Sequence, residues 1–361
     1  MPLDLSSDAA SLTAALIDIE SVSGGEERIA DEIENALRAL PWLSVLRDGD
    51  AILARTEFGL PDRILLAGHI DTVPLPATPG ARGTVPAQWS GTPGQSVLYG
   101  RGAVDMKGGV AVQLALAAQA DSASKDLTFV FYDHEEVEAV KSGLGRLARH
   151  HRQLLEADFG ILLEPSNGLV EGGCNGTMRF EARIKGVAAH SARAWRGRNA
   201  IHDTAELLVR LRDYQPATVR VDGLDYREGL NAVRIRGGVA GNVIPDETVV
   251  EINYRFAPDK NLEQAEAVVR EALTGFELQR TDAAPGARPG LDQPVAAAFL
   301  TAVGGVPQPK YGWTDVARLA ELGIPAVNFG PGDPLLAHSD DEHVNAEQIG
   351  DCAEVLRRWL L

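Results

Sequence analysis

Strand-like and helix-like segments alternate along the first half of this chain, and that alternation limits its fold more than any other feature. Arg63–Ala67 reads as an apolar strand and Asp105–Ala120 as a helix marked by Val110, Leu114 and Ala117. Leu127–Tyr132 is again a strand, Val140–His151 a helix and Phe159–Leu163 a strand. Two helices, Asp8–Glu20 and Gly25–Leu40, precede them, and Leu75–Val97, rich in Pro and Gly, reads as a long loop. Such a pattern implies an α/β fold: a mainly parallel sheet with helices on both faces. At 361 residues the chain is longer than one core usually serves, so two domains are expected.

The pattern changes after Gly172-Gly173. Thr177–Lys185 alternates like a half-buried strand, Asn199–Tyr214 is helical, and Asn231–Arg236 and Thr248–Phe256 are strands. Leu262–Leu273 follows as a helix and Phe276–Gln279 as a strand. This β-α-β-β-α-β order is the ferredoxin-like arrangement. After Ala284–Gly290 the α/β pattern returns, with a helix at Val316–Leu322, a strand at Ala326–Phe329 and a last helix at Ala346–Leu360. The expectation is a ferredoxin-like α+β domain, residues 175–287, inserted into an α/β domain made of residues 1–174 and 288–361. The Gly-rich flanks are the expected hinges.

The net charge of −17 argues against nucleic acid or an anionic membrane as partner. No apolar run approaches the roughly 20 residues that span a bilayer. The two cysteines, Cys174 and Cys352, make no disulfide framework, and the first residues lack a leader pattern, so a cytoplasmic setting is expected.

Chemistry gathers where strands end. His69 and Asp71 follow the first central strand, Glu135 and Glu136 the second, and Glu164 the third. Asp105 opens a helical segment, and His338 lies near the C-terminus. Each has an ordinary reading alone: Asp105 as a helix N-cap, the adjacent glutamates as charges at the positive end of the next helix, the rest as polar loop residues. Together they are a set at the sheet edge where open α/β folds build sites, and imidazole with carboxylate suits zinc. His69, Asp105, Glu136, Glu164 and His338 can serve two metals if Asp105 bridges. Each metal then has three protein ligands and room for a shared water, an open and therefore catalytic coordination. Glu135 is left free as general base, and Asp71 is placed to orient the His69 imidazole.

The segments Gly68–Pro74, Gly100–Gly109, Asp133–Glu136 and Leu163–Ser166 resemble the zinc-dependent aminoacylase/carboxypeptidase family of co-catalytic metallopeptidases, along essentially the whole chain. The resemblance implies two Zn²⁺, with Co²⁺ as a substitute. One would be held by His69, Asp105 and Glu164, the other by Asp105, Glu136 and His338. It implies that the inserted domain is a lid and builds a homodimer. His190, in Gly186–Ser191, would reach the partner subunit's active site and stabilise the oxyanion. Asn242 and Arg255 match substrate-contacting positions. Tyr311–Arg318, Asn328–Pro334 (with Gly330) and Gly238–Pro245 point within the family to deacylases of N-succinyl amino acids. Other N-acyl amino acid deacylases and dipeptidases share the metal core and stay open as readings. A non-catalytic binding protein on the same fold would show a broken ligand set, and this set is complete.

Two departures stand out. Related deacylases carry an arginine near the start of the inserted domain that binds a substrate carboxylate, and that position falls at Cys174 here. Arg193, Arg196 and Arg198 cluster just after His190 instead, and the expectation is that one of them, Arg193 first, anchors the carboxylate. Cys174 is read as a small packed residue, and His150-His151 as favourable cations at a helix C-terminus.

Overall fold

Continuous apolar runs build the main sheet of the computed structural model, which describes residues 2–92 and 94–361. Contacts divide the chain into two units. One holds the residues through Gly172 with Pro289–Gln308 and Arg318–Leu361. The other holds Gly173–Arg288 and Pro309–Ala317, a return segment that the sequence does not foreshadow.

In the first unit, strands Asp126–Tyr132, Arg63–His69, Phe159–Leu162 and Ala326–Asn328 lie side by side and parallel. Their side chains are buried on both faces, which is why they read as unbroken hydrophobic runs. The hairpin Ser44–Asp48/Ala51–Arg55 adds two antiparallel strands at one edge, and Glu171–Gly172 pairs antiparallel with Ala326–Asn328 beyond the other. Gly49, at φ 63, makes the hairpin's tight turn. Helices Ala9–Ile17, Lys107–Ala117, Pro294–Val303 and Ala346–Leu360 pack together, their core joined by Ile64, Leu66, Phe129 and Ile161. Alternate residues of the same strands, such as Leu65 and Ala67, point to the opposite face and are also fully buried.

Helix Lys107–Ala117 is shorter than the sequence suggests. The expected helix Val140–His151 resolves into a single turn at Ala139–Lys141 and a helix Gly143–His150, because the Ser142 hydroxyl accepts the Gly145 amide and caps a new start.

The second unit is a four-stranded antiparallel sheet in the order Gly229–Gly237, Glu247–Phe256, Gly176–Lys185, Leu278–Ala284. With helices Ala205–Asp213 and Leu262–Ala272 this is the ferredoxin-like topology. Met178, Phe180 and Ala182 alternate into a core with Val250, Ile252, Tyr254 and Phe256. The last strand runs further than Phe276–Gln279, and a hairpin, Thr218–Val221 with Leu224–Arg227, has no counterpart in the sequence reading. Cys174 and Ala287 exchange both backbone hydrogen bonds, tying together the two flanks of this unit. Among the described residues no helix is long and apolar enough to cross a membrane.

Candidate metal centre

Parallel register brings the strand-end residues to one edge. Ala67 pairs with Leu162, so His69 and Glu164 each stand two residues further along neighbouring strands. His69 pairs with Tyr132, so the turn Asp133–Glu136 leaves the sheet at the same level. Potential ligand atoms of His69, Asp105 and Glu164 lie within 4.8 Å of one another, as do those of Asp105, Glu136 and His338. His69, Glu135 and Glu136 form a third such group. The five expected ligands therefore converge, with Asp105 common to both triads and Glu135 beside them.

Asp105 does not cap the helix. The helix starts at Lys107 and its cap residue, Met106, makes no side-chain cap bond. The Asp105 carboxylate instead sits between the histidines, with Oδ1 3.0 Å from His69 Nε2 and Oδ2 3.2 Å from His338 Nε2. His338 Nε2 is also 2.9 Å from Glu136 Oε1. His338 adopts φ 63, a left-handed conformation that turns its side chain toward the cluster.

Asp71 meets His69 through its backbone. Nδ1 of His69 lies 3.0 Å from the backbone carbonyl oxygen of Asp71, while the carboxylate is 3.5 Å away. A carbonyl can only accept, so Nδ1 carries the hydrogen and Nε2 faces the cluster as the ligand atom. The Asp71 carboxylate, fully buried, is spent on the opposite turn. It accepts the amides of Glu135 at 3.0 Å and Glu136 at 3.1 Å, and the Ser23 hydroxyl at 2.7 Å. Glu26, also buried, accepts the His134 amide at 3.3 Å. Three consecutive amides are thus held by two buried carboxylates.

A second support was invisible in the sequence. Buried Glu342 accepts the amides of Val104 at 3.0 Å and Asp105 at 3.2 Å, and pairs with buried Arg101 at 2.7 Å. Only a pattern of buried charge could have revealed it, and a lone glutamate offers none.

The electrostatics favour a cation. Burial opposes ionisation of Asp105, yet the hydrogen bonds to His338 and His69 hold its carboxyl far below the usual range. Hydrogen bonds to Asp105, then Glu136, push His338 up to about 10. Burial works against a charged His69, but the Asp105 and Asp71 carboxylates overcome it and raise its pKa well above the usual value. Carboxylates that retain protons on two imidazoles this strongly present a donor set that would hold divalent metal.

Gly330 serves packing. A Cβ there would meet the carbonyl oxygens of Leu163 at 2.4 Å and Glu164 at 2.6 Å, and its amide donates to Ser166 Oγ at 3.0 Å. Gly109 presses on Leu163 from the helix side, where a Cβ would come within 2.2 Å of the same carbonyl. The backbone carrying Glu164 is gripped between two glycines, and the amide of Gly330 is not left for a substrate.

The remaining expected residues lie in the second unit. His190 is exposed, and its Nδ1 accepts the Ala192 amide at 3.1 Å. In the neutral ring that leaves Nε2–H as a donor. Strand pairing of His190 with Val243 and a bond from the Ser191 amide to the Asn242 carbonyl, 2.9 Å, set His190 and Asn242 side by side. Arg255 is partly buried, its Nε donating to Asn253 Oδ1 at 3.1 Å. Burial, then the neighbouring Arg179 charge, depresses its pKa. Arg198 is engaged by the Lys185 carbonyl and Asp203. Arg193 and Arg196 are exposed, and their side chains make no hydrogen bond or ion pair among the described residues. Cys174 is fully buried, and burial pushes its thiol up to about 11, consistent with packing.

Comparison with known proteins places this geometry. Residues 65–361 match the model of peptidase family M20/M25/M40. The chain is 51% identical over 361 residues, 99% of each sequence, to a Mycobacterium tuberculosis protein with the provisional name succinyl-diaminopimelate desuccinylase. It is 44% identical over 369 residues to the succinyl-diaminopimelate desuccinylase of Corynebacterium glutamicum, covering 99% of this chain and 97% of the relative. Among solved structures it is similar to Bacillus subtilis YXEP, described as a dinuclear metal-binding peptidase. The TM-score is 0.68 at 17% identity, covering 97% and 96% of the two chains.

Proposed function

The chain belongs to peptidase family M20/M25/M40, and we propose that within it the reaction is hydrolysis of N-succinyl-LL-2,6-diaminopimelate to succinate and LL-2,6-diaminopimelate. The observation that carries this reading is the convergence of two metal-competent triads on Asp105 with Glu135 alongside, in a chain related over its full length to two proteins named for that reaction.

His69, Asp105 and Glu164 would hold one zinc and Asp105, Glu136 and His338 the other, with cobalt able to substitute. When bound, the pair polarises the scissile carbonyl and acidifies water. Glu135 takes the proton of the attacking water and later delivers it to the leaving amine. Its backbone, fixed through Asp71, keeps the carboxylate at its post during both transfers. His190 donates Nε2–H to the oxygen on which negative charge develops. Asn242, Arg255 and Arg193 contact the substrate, and of the arginines after His190 the free guanidiniums of Arg193 and Arg196 suit a carboxylate.

The second unit acts as lid and dimerisation domain, with His190 serving the partner's site. Support comes from its edge strand Gly229–Gly237, which exposes Val233 and Ile235, and from exposed Ile201, Leu208 and Val209. The setting is cytoplasmic, where the free cysteines Cys174 and Cys352 stay reduced.

The test is hydrolysis of N-succinyl-LL-2,6-diaminopimelate beside N-acetylornithine, using chelated protein re-supplied with zinc in steps. Zinc-restored turnover of the succinyl compound alone supports the reading. Turnover of the acetyl compound keeps the metal core and discards the specificity, and turnover of neither rejects the deacylase reading in favour of a dipeptidase or a non-catalytic binding protein.

A further inference from the structure

A second convergence of metal-competent side chains lies in the first unit, on the outermost strand of the main sheet, three strands along from the one that carries His69. The hairpin strand Ser44–Asp48 ends at Asp48, and the helix Gly143–His150 ends against it. His150 Nδ1 lies 2.7 Å and His151 Nε2 3.2 Å from the same oxygen, Asp48 Oδ2. Their ligand atoms all fall within 4.8 Å of one another. We propose that Asp48, His150 and His151 form an accessory site for a zinc-class divalent cation, distinct from the catalytic pair.

Donor chemistry and geometry agree. Two imidazole nitrogens and one carboxylate oxygen are borderline ligands that suit Zn²⁺, with Co²⁺ and Ni²⁺ close behind. Metal–ligand bonds of roughly 2.0–2.1 Å in tetrahedral array place donors about 3.3 Å apart. One nitrogen–oxygen separation already matches, and the other needs to open by only about half an ångström on the same scale. The rings stand nearly perpendicular, at 82°, so one ring does not stack over the other's donor. The side chains are 55% and 29% exposed for the histidines and 17% for the aspartate, so water can reach a fourth position.

Arg146 is the competing cation and is accounted for. Its Nε donates to the other oxygen, Asp48 Oδ1, at 3.1 Å and leaves Oδ2 to the histidines. Its Nη2 is held by Asp133 Oδ1 at 2.7 Å, so the guanidinium cannot swing across to replace a metal. It weakens the attraction for a cation while fixing the carboxylate plane. Burial opposes ionisation of Asp48, but the His150 hydrogen bond and the Arg146 charge keep its carboxyl below the usual range, in the anionic form a metal requires.

The experiment compares the natural protein with a His150→Gln/His151→Gln variant, both loaded to full activity at the catalytic pair and equilibrated against the same buffered free zinc. Bound zinc is counted by elemental analysis and activity is followed in parallel. The natural protein should retain one zinc per chain more than the variant, with equal turnover. His151→Gln alone, which spares the shorter contact, should weaken that extra zinc by at least the roughly tenfold that loss of an outer-shell partner costs a metal site. Equal zinc counts in all three proteins would overturn the site and reduce the cluster to a surface ion pair at a helix C-terminus. Neither result depends on the identity of the substrate.

Discussion

Replacing Glu342 by alanine should be the most damaging single change among residues that bind neither metal nor substrate. The side chain is 1% exposed and its partner Arg101 4%, so the pair is shielded from water on both sides. Removing one member strands a buried guanidinium, which costs roughly 3–5 kcal/mol. The amides of Val104 and Asp105 lose their acceptor in the same step, which pushes the loss toward the top of that range. Against a typical total of about 5–15 kcal/mol this is readily seen in urea denaturation followed by circular dichroism. The damage should also reach the centre, because the Asp105 amide is one of the groups released. Zinc affinity, measured by competition with a chelator, should fall together with stability. Glu342→Gln retains an acceptor for the amides but not the charge opposite Arg101, so it should fall between the natural protein and the alanine variant. A loss below about 1 kcal/mol in the alanine variant, the size of an ordinary substitution, or an unchanged zinc affinity would refute the reasoning.

Other outcomes follow from the same geometry. Glu135→Gln should keep both metals while turnover drops by about 10²–10⁴, the usual share of a general base; loss of zinc instead would mean that Glu135 and Glu136 exchange roles. Gly330→Ala should destabilise by about 1–3 kcal/mol in thermal unfolding, because its Cβ meets backbone on the Leu163–Glu164 side and nothing there can rotate away. Zinc binding to the apoprotein should release protons: His338, held up at about 10, is an imidazolium at neutral pH and must become neutral to ligate. Affinity should therefore climb as pH rises toward that value, and calorimetry in buffers of different ionisation enthalpy that shows no proton release would exclude His338 as a ligand.

The strand-end candidates are legible because a buried parallel strand announces itself as an apolar run, and the polar residues just beyond it mark the sheet edge. His69, Glu136 and Glu164 are all found that way. His338 follows no such strand, since a left-handed loop residue has no periodic signature, and its place in the set rests on residue type alone. The hairpin Ser44–Arg55 was overlooked although Asp48-Gly49 is a recognisable turn signal, because its first strand is only partly buried and the alternation is faint. Helix Pro294–Val303 was missed despite proline at its first turn, a known start signal. Asp71 is expected to orient His69 from its spacing, but whether its carboxylate or its backbone carbonyl makes the contact is not written in any residue pattern; the carbonyl makes it.

The grip of Asp71 on Glu135 and Glu136 works through amide hydrogens and asks nothing of the side chains it positions. Asp71 would hold residues 135 and 136 in place whatever those residues were, proline excepted. The reactive groups are therefore interchangeable parts on a fixed mount. A chemist could install a different base, an unnatural acid or a spectroscopic reporter at position 135 without rebuilding its support. Descendants of such a chain could likewise change reaction by point substitution while inheriting the frame intact.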